Sequence, residues 1–469
     1  MSTDFAHSAA NRWLFVCYLA LLVWAPIPLG SNRPWAWAIL ELWVFLLAIW
    51  WLLDFARGTT GFSPALKAAW PALVCAALWL GYVWLQLVPL PFELLKLLSP
   101  EAARAHAAAA GLAPGAAPLT LDQSGTLGGA LKSAAYVVFF ALSLALLDRH
   151  ERIAATAYTL VISGFAQAMY GGLASLAEPG MAAHGSFVNR NHFAAYLVMC
   201  LSVGLGMLIS NLTGEVSQSW KQFFRNIIAW ILSPRMLLRL ALVVMVIALV
   251  LTRSRMGNTS FFVSLLTTGG IGLLLAKRTT RSMVVLIASL IVIDILIVGA
   301  YFGVERVLDR IEQTRMETED RGANARDTLR MWQDYPVFGA GLGSFHVVFP
   351  RYPQQDLGDL YTHAHNDYLE FASETGVVGI ALLGLLVFTS FLAALRAQIV
   401  RRDRLMRGIS FGAMMAVSAL GLHSTVDFNL QIPANALTFM LLLAFAWISL
   451  YHRDRGESPA DEGDTQELS

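Results

Sequence analysis

The segment His363-Ala364-His365-Asn366-Asp367-Tyr368-Leu369-Glu370 sets two imidazoles, an amide and two carboxylates directly before an apolar run that continues to Leu395. A neutral imidazole, with an ordinary pKa near about 6.5, accepts a proton near neutral pH without special tuning, which makes His365 a candidate general base. His363 and Asn366 flank it as supporting candidates. Asp367 and Glu370 have the spacing of a capping box, which predicts Asp367 as the cap of the following helix. Glu370 then either reaches back to that cap or orients an imidazole or holds a hydroxyl. Glu374 lies one turn further along the same face.

Arginines form the second set. Arg190 sits in Gly185-Ser186-Phe187-Val188-Asn189-Arg190-Asn191-His192, and Arg253 and Arg255 in Thr252-Arg253-Ser254-Arg255. Both segments read as short external loops, where the positive-inside rule disfavours arginine. An arginine near hydrocarbon costs roughly 2.5–3.5 kcal/mol at the bilayer centre and less at the interface, so an anionic partner is expected. Guanidinium forks match phosphate oxygens, and a set of them can hold a diphosphate and neutralise the charge that develops as it leaves. The plainer alternative is that they snorkel to ordinary lipid headgroups. Asn191 and His192 accompany Arg190 as support. His423 and Asp427 are spaced to share a helical face, either as a second polar wall or as an interhelical hydrogen-bonded pair.

Other chemistries find little footing. His363 and His365 lack the helical Glu/His spacing of a dedicated metal site, so no metal is expected, and no cofactor. There is no Gly-x-Ser-x-Gly segment for a nucleophilic serine. The run Gly339-Ala340-Gly341-Leu342-Gly343 has neither a preceding strand nor a following Lys-Ser/Thr, which argues against a nucleotide loop. Cys17, Cys75 and Cys200 lie within apolar runs as packing residues. A net charge of +1 gives no basic field for nucleic acid.

The elements that position these groups belong to a membrane. Hydrophobic residues make up 57% of the chain and charged residues 14%. Soluble domains carry about 25% charged residues, so an ordinary soluble globule is excluded. Apolar runs long enough to span a bilayer recur about twelve times, near 13–29, 35–53, 68–88, 128–147, 153–177, 193–212, 236–251, 258–276, 283–303, 367–395, 409–427 and 433–451. The predicted fold is all-α and polytopic. Residues 1–150 hold the first four spans and 151–303 the next five, with the arginine-bearing loops between them. Residues 304–366 form a long external loop with short helices, 367–452 the last three spans, and 453–469 an acidic, disordered tail. The first run lacks a cleavage site and reads as a retained span. Lys277-Arg278, Arg401-Arg402 and Arg453 place both termini in the cytoplasm by the positive-inside rule. The segment 89–127 reads as a short helix followed by an irregular stretch that covers the site.

At these residues the chain resembles the O-antigen ligase and polymerase superfamily of bacterial inner-membrane glycosyltransferases. The superfamily's motif is met by His365, Asn366, Gly376 and Gly379. Gly185 to His192 and Ser254-Arg255 resemble its other polar loops, and the likeness runs from about 150 to 450. The resemblance implies a GT-C-like membrane fold and a metal-independent, inverting transfer at the periplasmic face. The donor it implies is an undecaprenyl-pyrophosphate-linked glycan, and the acceptor a lipid A-core sugar or another lipid-linked glycan. By that analogy His365 deprotonates the acceptor hydroxyl, and Arg190 and Arg255, with Arg253 beside them, bind the pyrophosphate. Arg326 or Arg330, ahead of Trp332, adds a further phosphate contact. Met256 departs from the small residue common in the family after the arginine. The segments His423–Leu430 and Ile432–Asn435 resemble members associated with exopolysaccharide assembly. The competing class is a transporter or flippase of lipid-linked glycans. It would need polar groups near the bilayer midplane, where Glu41 and Asp294 are scattered.

Overall fold

The computed structural model describes residues 2–111, 115–178, 180–211, 234–275, 322–353 and 361–452. The expected span at 283–303, the start of the long external loop and the tail 453–469 lie outside those residues. In chain order the helices are α1 (Ser2–Trp24), α2 (Pro34–Ala56), α3 (Pro64–Ala68), α4 (Trp70–Gln86), α5 (Phe92–Leu98), α6 (Pro100–Ala110), α7 (Gln123–Leu146), α8 (His150–Ala177), α9 (Arg190–Ser210), α10 (Pro234–Leu251), α11 (Arg255–Leu275), α12 (322–334), α13 (Phe345–Val348), α14 (Asp367–Val400), α15 (Arg404–His423) and α16 (Pro433–Tyr451). Among the described residues, eight of them, α2, α7, α8, α9, α11, α14, α15 and α16, are long and apolar enough to cross a membrane. Arg12–Trp24, Trp70–Gln86 and Met236–Leu251 are shorter apolar helices. The protein is an all-α polytopic membrane protein.

Lipid cannot drive helices together by hydrophobic burial, so close packing must do it, and small residues permit that. α9 is buried along most of its length, and its Gly206 faces Gly408 and Gly412 of α15 so closely that a Cβ on Gly206 would strike the Gly408 carbonyl. The bundle has two distinct ends. At one, Ser63 Oγ donates to the Leu144 carbonyl (2.5 Å), His150 approaches Asp403 (3.3 Å) and Arg401 Nε donates to the Ser449 carbonyl (3.0 Å). At the other, Ser186 Oγ donates to the Pro26 carbonyl (2.5 Å), the Ala183 amide to the Leu251 carbonyl (3.0 Å) and the Asp367 amide to the Asp427 carbonyl (3.1 Å). Every candidate site residue lies at this second end.

The segment expected as one helix and an irregular stretch contains two helices, α5 and α6, and a short antiparallel pair, β1 (Leu90–Pro91) with β2 (Ala116–Ala117). It does not stand alone. Phe92, Leu95 and Ala103 form one buried cluster with Tyr335, Phe345 and Phe349, so the two long external segments share a small core.

α14 is broken near its start. Gly376 has φ 63° and ψ −169°. That conformation is open essentially to glycine alone, and a Cβ there would collide with the Val337 carbonyl. Breaking a spanning helix frees backbone groups that hydrocarbon cannot satisfy. Here the chain supplies the partners: the Ala340 amide donates to the Ser373 carbonyl (3.0 Å), the Gly341 amide to the Glu374 carbonyl (2.9 Å) and the Val377 amide to the Pro336 carbonyl (2.9 Å). From α4, Tyr82 Oη bonds the Phe338 and Thr375 carbonyls (2.6 and 2.8 Å), and Gln86 Nε2 donates to the Phe338 and Glu374 carbonyls (2.9 and 3.1 Å). The glycine run is thus a close-approach stretch, with Gly339 (φ 68°) backed onto the Glu374 carbonyl.

Candidate active site

The first turn of α14 fixes the histidine segment. Asn366, not Asp367, is the cap: its Oδ1 accepts the Leu369 amide (3.1 Å), and its Nδ2 donates to the Thr425 carbonyl (2.8 Å). An asparagine in this position satisfies an amide that the helix itself leaves unpaired. The capping-box expectation fails because Asp367 is already the first helical residue and its carboxylate turns toward the 424–430 loop. There it accepts Ser424 Oγ (2.6 Å) and the Leu430 amide (3.2 Å). Glu370 does not reach back to the cap either. Its Oε1 bonds His363 Nδ1 (2.7 Å) and its Oε2 accepts the Ala364 amide (2.8 Å), clamping the loop that carries both histidines. Burial works against a charged His363, yet the Glu370 carboxylate, bonded to it and aided by Glu374, outweighs that and raises its pKa.

His365 has φ 50°, in the left-handed backbone region. That region is costly for a residue with a Cβ. Its Nδ1 faces Asp427 Oδ1 at 3.6 Å, and His192 Nε2 approaches the same oxygen at 3.6 Å. Both approaches lie just beyond hydrogen-bond range. Burial alone would raise the Asp427 pKa, but the bordering imidazoles of His192, His365 and His423 hold it well below the usual carboxylate range. The expected common helical face of His423 and Asp427 does not exist. α15 ends at His423, and the chain turns before Asp427, so the loop and not helical periodicity brings them together.

Phe428 organises the cluster and was not singled out from sequence. His363 stacks on its ring (centroids 4.2 Å apart, 15°), while His192 and His365 meet it edge-on at 4.5 Å (73°) and 4.9 Å (76°). Three imidazoles from two distant parts of the chain therefore share one phenyl ring. Nothing in the spacing of Phe428 advertises this; it follows from the turn after α15. Asn435 of α16 donates to the His192 carbonyl (3.1 Å), tying the α9 terminus into the same cluster.

The arginines lie on neighbouring loops. Arg190 is exposed at the start of α9, two residues before His192, beside the cap formed by Asn189 Oδ1 and the Asn191 amide (2.8 Å). Arg253 has φ 55° and donates to the Gly180 carbonyl (2.9 Å), joining the 252–254 turn to the loop before α9, and Arg255 is exposed at the head of α11. Arg326 is exposed on α12, whose Asn324 donates to the His363 carbonyl (3.4 Å), while Arg330 pairs with Asp327 (2.6 Å).

A cavity of about 920 Å³ borders this cluster, lined by His363, Glu370 and Glu374 and by Lys132 of α7. His365, Arg190, Arg253, Arg255 and Arg326 do not line it. Lys132 is the second residue missed from sequence; its place inside an apolar run was the available signal.

Residues 240–384 match the family model described as O-Antigen ligase. Over that segment, about a third of the chain, the protein is similar to the O-antigen ligase family. That match runs from α10 through the Arg253 and Arg255 turn to the broken start of α14, so it contains His363, His365, Asn366, Gly376 and Gly379. Gly376 is the helix break, and Gly379 faces Thr375 and Trp79 where a Cβ would collide. The matched segment thus includes the features that shape the histidine loop, while His192, Asp427 and Phe428 come from outside it. No curated protein matches the chain. The likeness supports a reaction of the O-antigen ligase type in general.

Proposed function

We propose that this protein is a bacterial inner-membrane glycosyltransferase that moves a glycan from an undecaprenyl-pyrophosphate donor to a sugar hydroxyl at the periplasmic face, without a metal and with inversion. The single observation that carries this reading is His365, held in a strained backbone with Nδ1 toward a buried, anionic Asp427. That pairing leaves Nε2 for an acceptor hydroxyl and stabilises the imidazolium that forms when the proton arrives. Asp427 acts through His365, as a positioning residue. In the transfer step the acceptor O–H proton passes to His365 Nε2, and the oxygen attacks the anomeric carbon from the side opposite the pyrophosphate. The C–O bond to the pyrophosphate breaks, and its electron pair leaves with the phosphate. Arg190, Arg253 and Arg255, on loops next to His192, hold the pyrophosphate and neutralise that charge. Positioned proton removal accounts for about 10²- to 10⁴-fold of rate, with orientation and charge stabilisation supplying the remainder.

Purified protein with chelator present is expected to transfer glycan from the lipid-linked donor. His365→Ala should abolish transfer while the protein keeps its melting behaviour, and robust transfer by that variant removes His365 as the base. Arg190→Ala and Arg255→Ala should weaken use of the donor more than of the acceptor; equal loss on both counts against pyrophosphate binding. Glycan analysis of a deletion strain separates the two forms of the reaction. Undecorated lipid A-core alongside long lipid-linked polymer means ligase, and single repeat units mean polymerase.

A further inference from the structure

The large cavity has a polar end and an apolar end, and neither is used by the chemistry above. Its polar end carries the carboxyl groups of Asp122, Asp367, Glu370 and Glu374, with Lys132, His346 and His363. Glu374 is 1% exposed; its Oε1 accepts the Phe345 amide (3.0 Å), while Oε2 has no hydrogen-bond partner among the described residues. Glu374 is among the residues that line the cavity. The Lys132 ammonium lies over the Trp37 ring at 4.0 Å. Four carboxyl groups, against the Lys132 ammonium and the imidazoles of His346 and His363, disfavour phosphate and favour hydroxyl donors, and aromatic walls from Trp37 and Trp79 suit the faces of sugar rings.

Beyond this end the walls turn apolar, with Leu386 and Phe391 of α14, Val417 and Leu420 of α15, and Met440 and Leu443 of α16. Gly128 and Gly384 border the space, and a Cβ on either would meet nothing within 4 Å. The volume falls within the roughly 300–1,000 Å³ typical of small-molecule sites.

Resting on the transfer reaction proposed above, we infer that this cavity is the acceptor chamber, binding a glycolipid with its sugar hydroxyls at Glu374 and Lys132 and its hydrocarbon chain along the α14, α15 and α16 wall. The donor's phosphates belong outside this cavity, with the arginine loops, which do not line it. His363, stacked on Phe428, is then the border between acceptor chamber and base.

The test uses the full-length protein in nanodiscs and a dodecyl maltoside carrying a diazirine at the end of its chain. Cross-links are expected in α14 and α16 around 383–391 and 439–443. Gly384→Phe, or Gly128→Phe from the opposite wall, should lower labelling roughly tenfold or more by filling the space. Glu374→Gln should weaken competition by unlabelled dodecyl maltoside, and dodecyl phosphate should compete poorly. Labelling untouched by both glycine variants overturns the inference. So does dodecyl phosphate competing better than the maltoside, which would assign the chamber to a phosphate-bearing chain. Labelling needs no turnover, so it stands or falls apart from the transferase reading. In the transfer assay Gly384→Phe should raise KM for acceptor and leave donor binding unchanged; the reverse pattern equally overturns the assignment.

Discussion

Two imidazoles separated by a single residue differ in environment, because the chain between them is pinned. Glu370 holds His363 and the Ala364 amide, which turns His365 away toward Asp427. The consequence for His363 is measurable. Its folded pKa is raised above the ordinary value of about 6.5, so the stability this gives is full below that value and is lost as pH rises through the folded pKa. The melting temperature of the purified protein should therefore fall as pH rises above about 6.5. In Glu370→Gln, where the anion is gone, that alkaline decline should vanish; a decline of the same size in the variant means another group is responsible. Asp427 behaves oppositely. Its pKa is depressed, so its contribution is lost only as pH falls through a value well below the usual carboxylate range, and it stays anionic near neutral pH.

At the scale of elements, the break in α14 is what delivers Glu370 and Glu374 to the cavity. Gly376 adopts a backbone that costs other residues about 1–3 kcal/mol before any collision is counted. A Cβ there would also strike the Val337 carbonyl. Gly376→Ala should lower the thermal stability of the purified protein and its transfer activity together. In α4 the contrast is Gly81, where a Cβ meets nothing within 4 Å. Gly81→Ala should be neutral or gain up to about 1 kcal/mol from helix propensity. Equal behaviour of the two variants in a melting assay would show that the break is not under strain. Tyr82 and Gln86 give the same element its lateral support, since their bonds satisfy carbonyls that the broken turn frees.

The whole molecule divides its loops between two ends, and arginines crowd the short connections of one. Arg57, Arg149, Arg152, Arg401, Arg402, Arg404 and Arg407 gather at the end where Ser63 meets Leu144 and His150 meets Asp403. The positive-inside rule predicts that end on the cytoplasmic side, and the transfer reaction proposed above then requires the histidine cluster on the periplasmic side. With the three native cysteines replaced by alanine, Val188→Cys, at an exposed position before α9, should react with a membrane-impermeant maleimide in intact spheroplasts. Gly61→Cys, in the turn between α2 and α3, should react only after the membrane is opened. Labelling in the opposite order would invert the topology and separate the site from a periplasmic acceptor.

The membrane class, the positions of most spans and the identity of the histidine segment were legible in the chain, because hydropathy and local spacing act over neighbouring residues. His365, His363, Asn366, Arg190 and Arg255 stand out in the same way as candidates, since chemistry-bearing side chains are conspicuous in an apolar background. The sequence misled where one residue decides geometry: Asn366 took the cap from Asp367, and α15 stopped at His423, which set Asp427 in a turn. Phe428, Lys132 and the acceptor chamber were invisible to local reading. A shared phenyl ring, a lysine inside a span and a space between α7, α14, α15 and α16 exist only when segments hundreds of residues apart are packed, and packing between helices in lipid is fixed by close contact rather than by any periodic pattern.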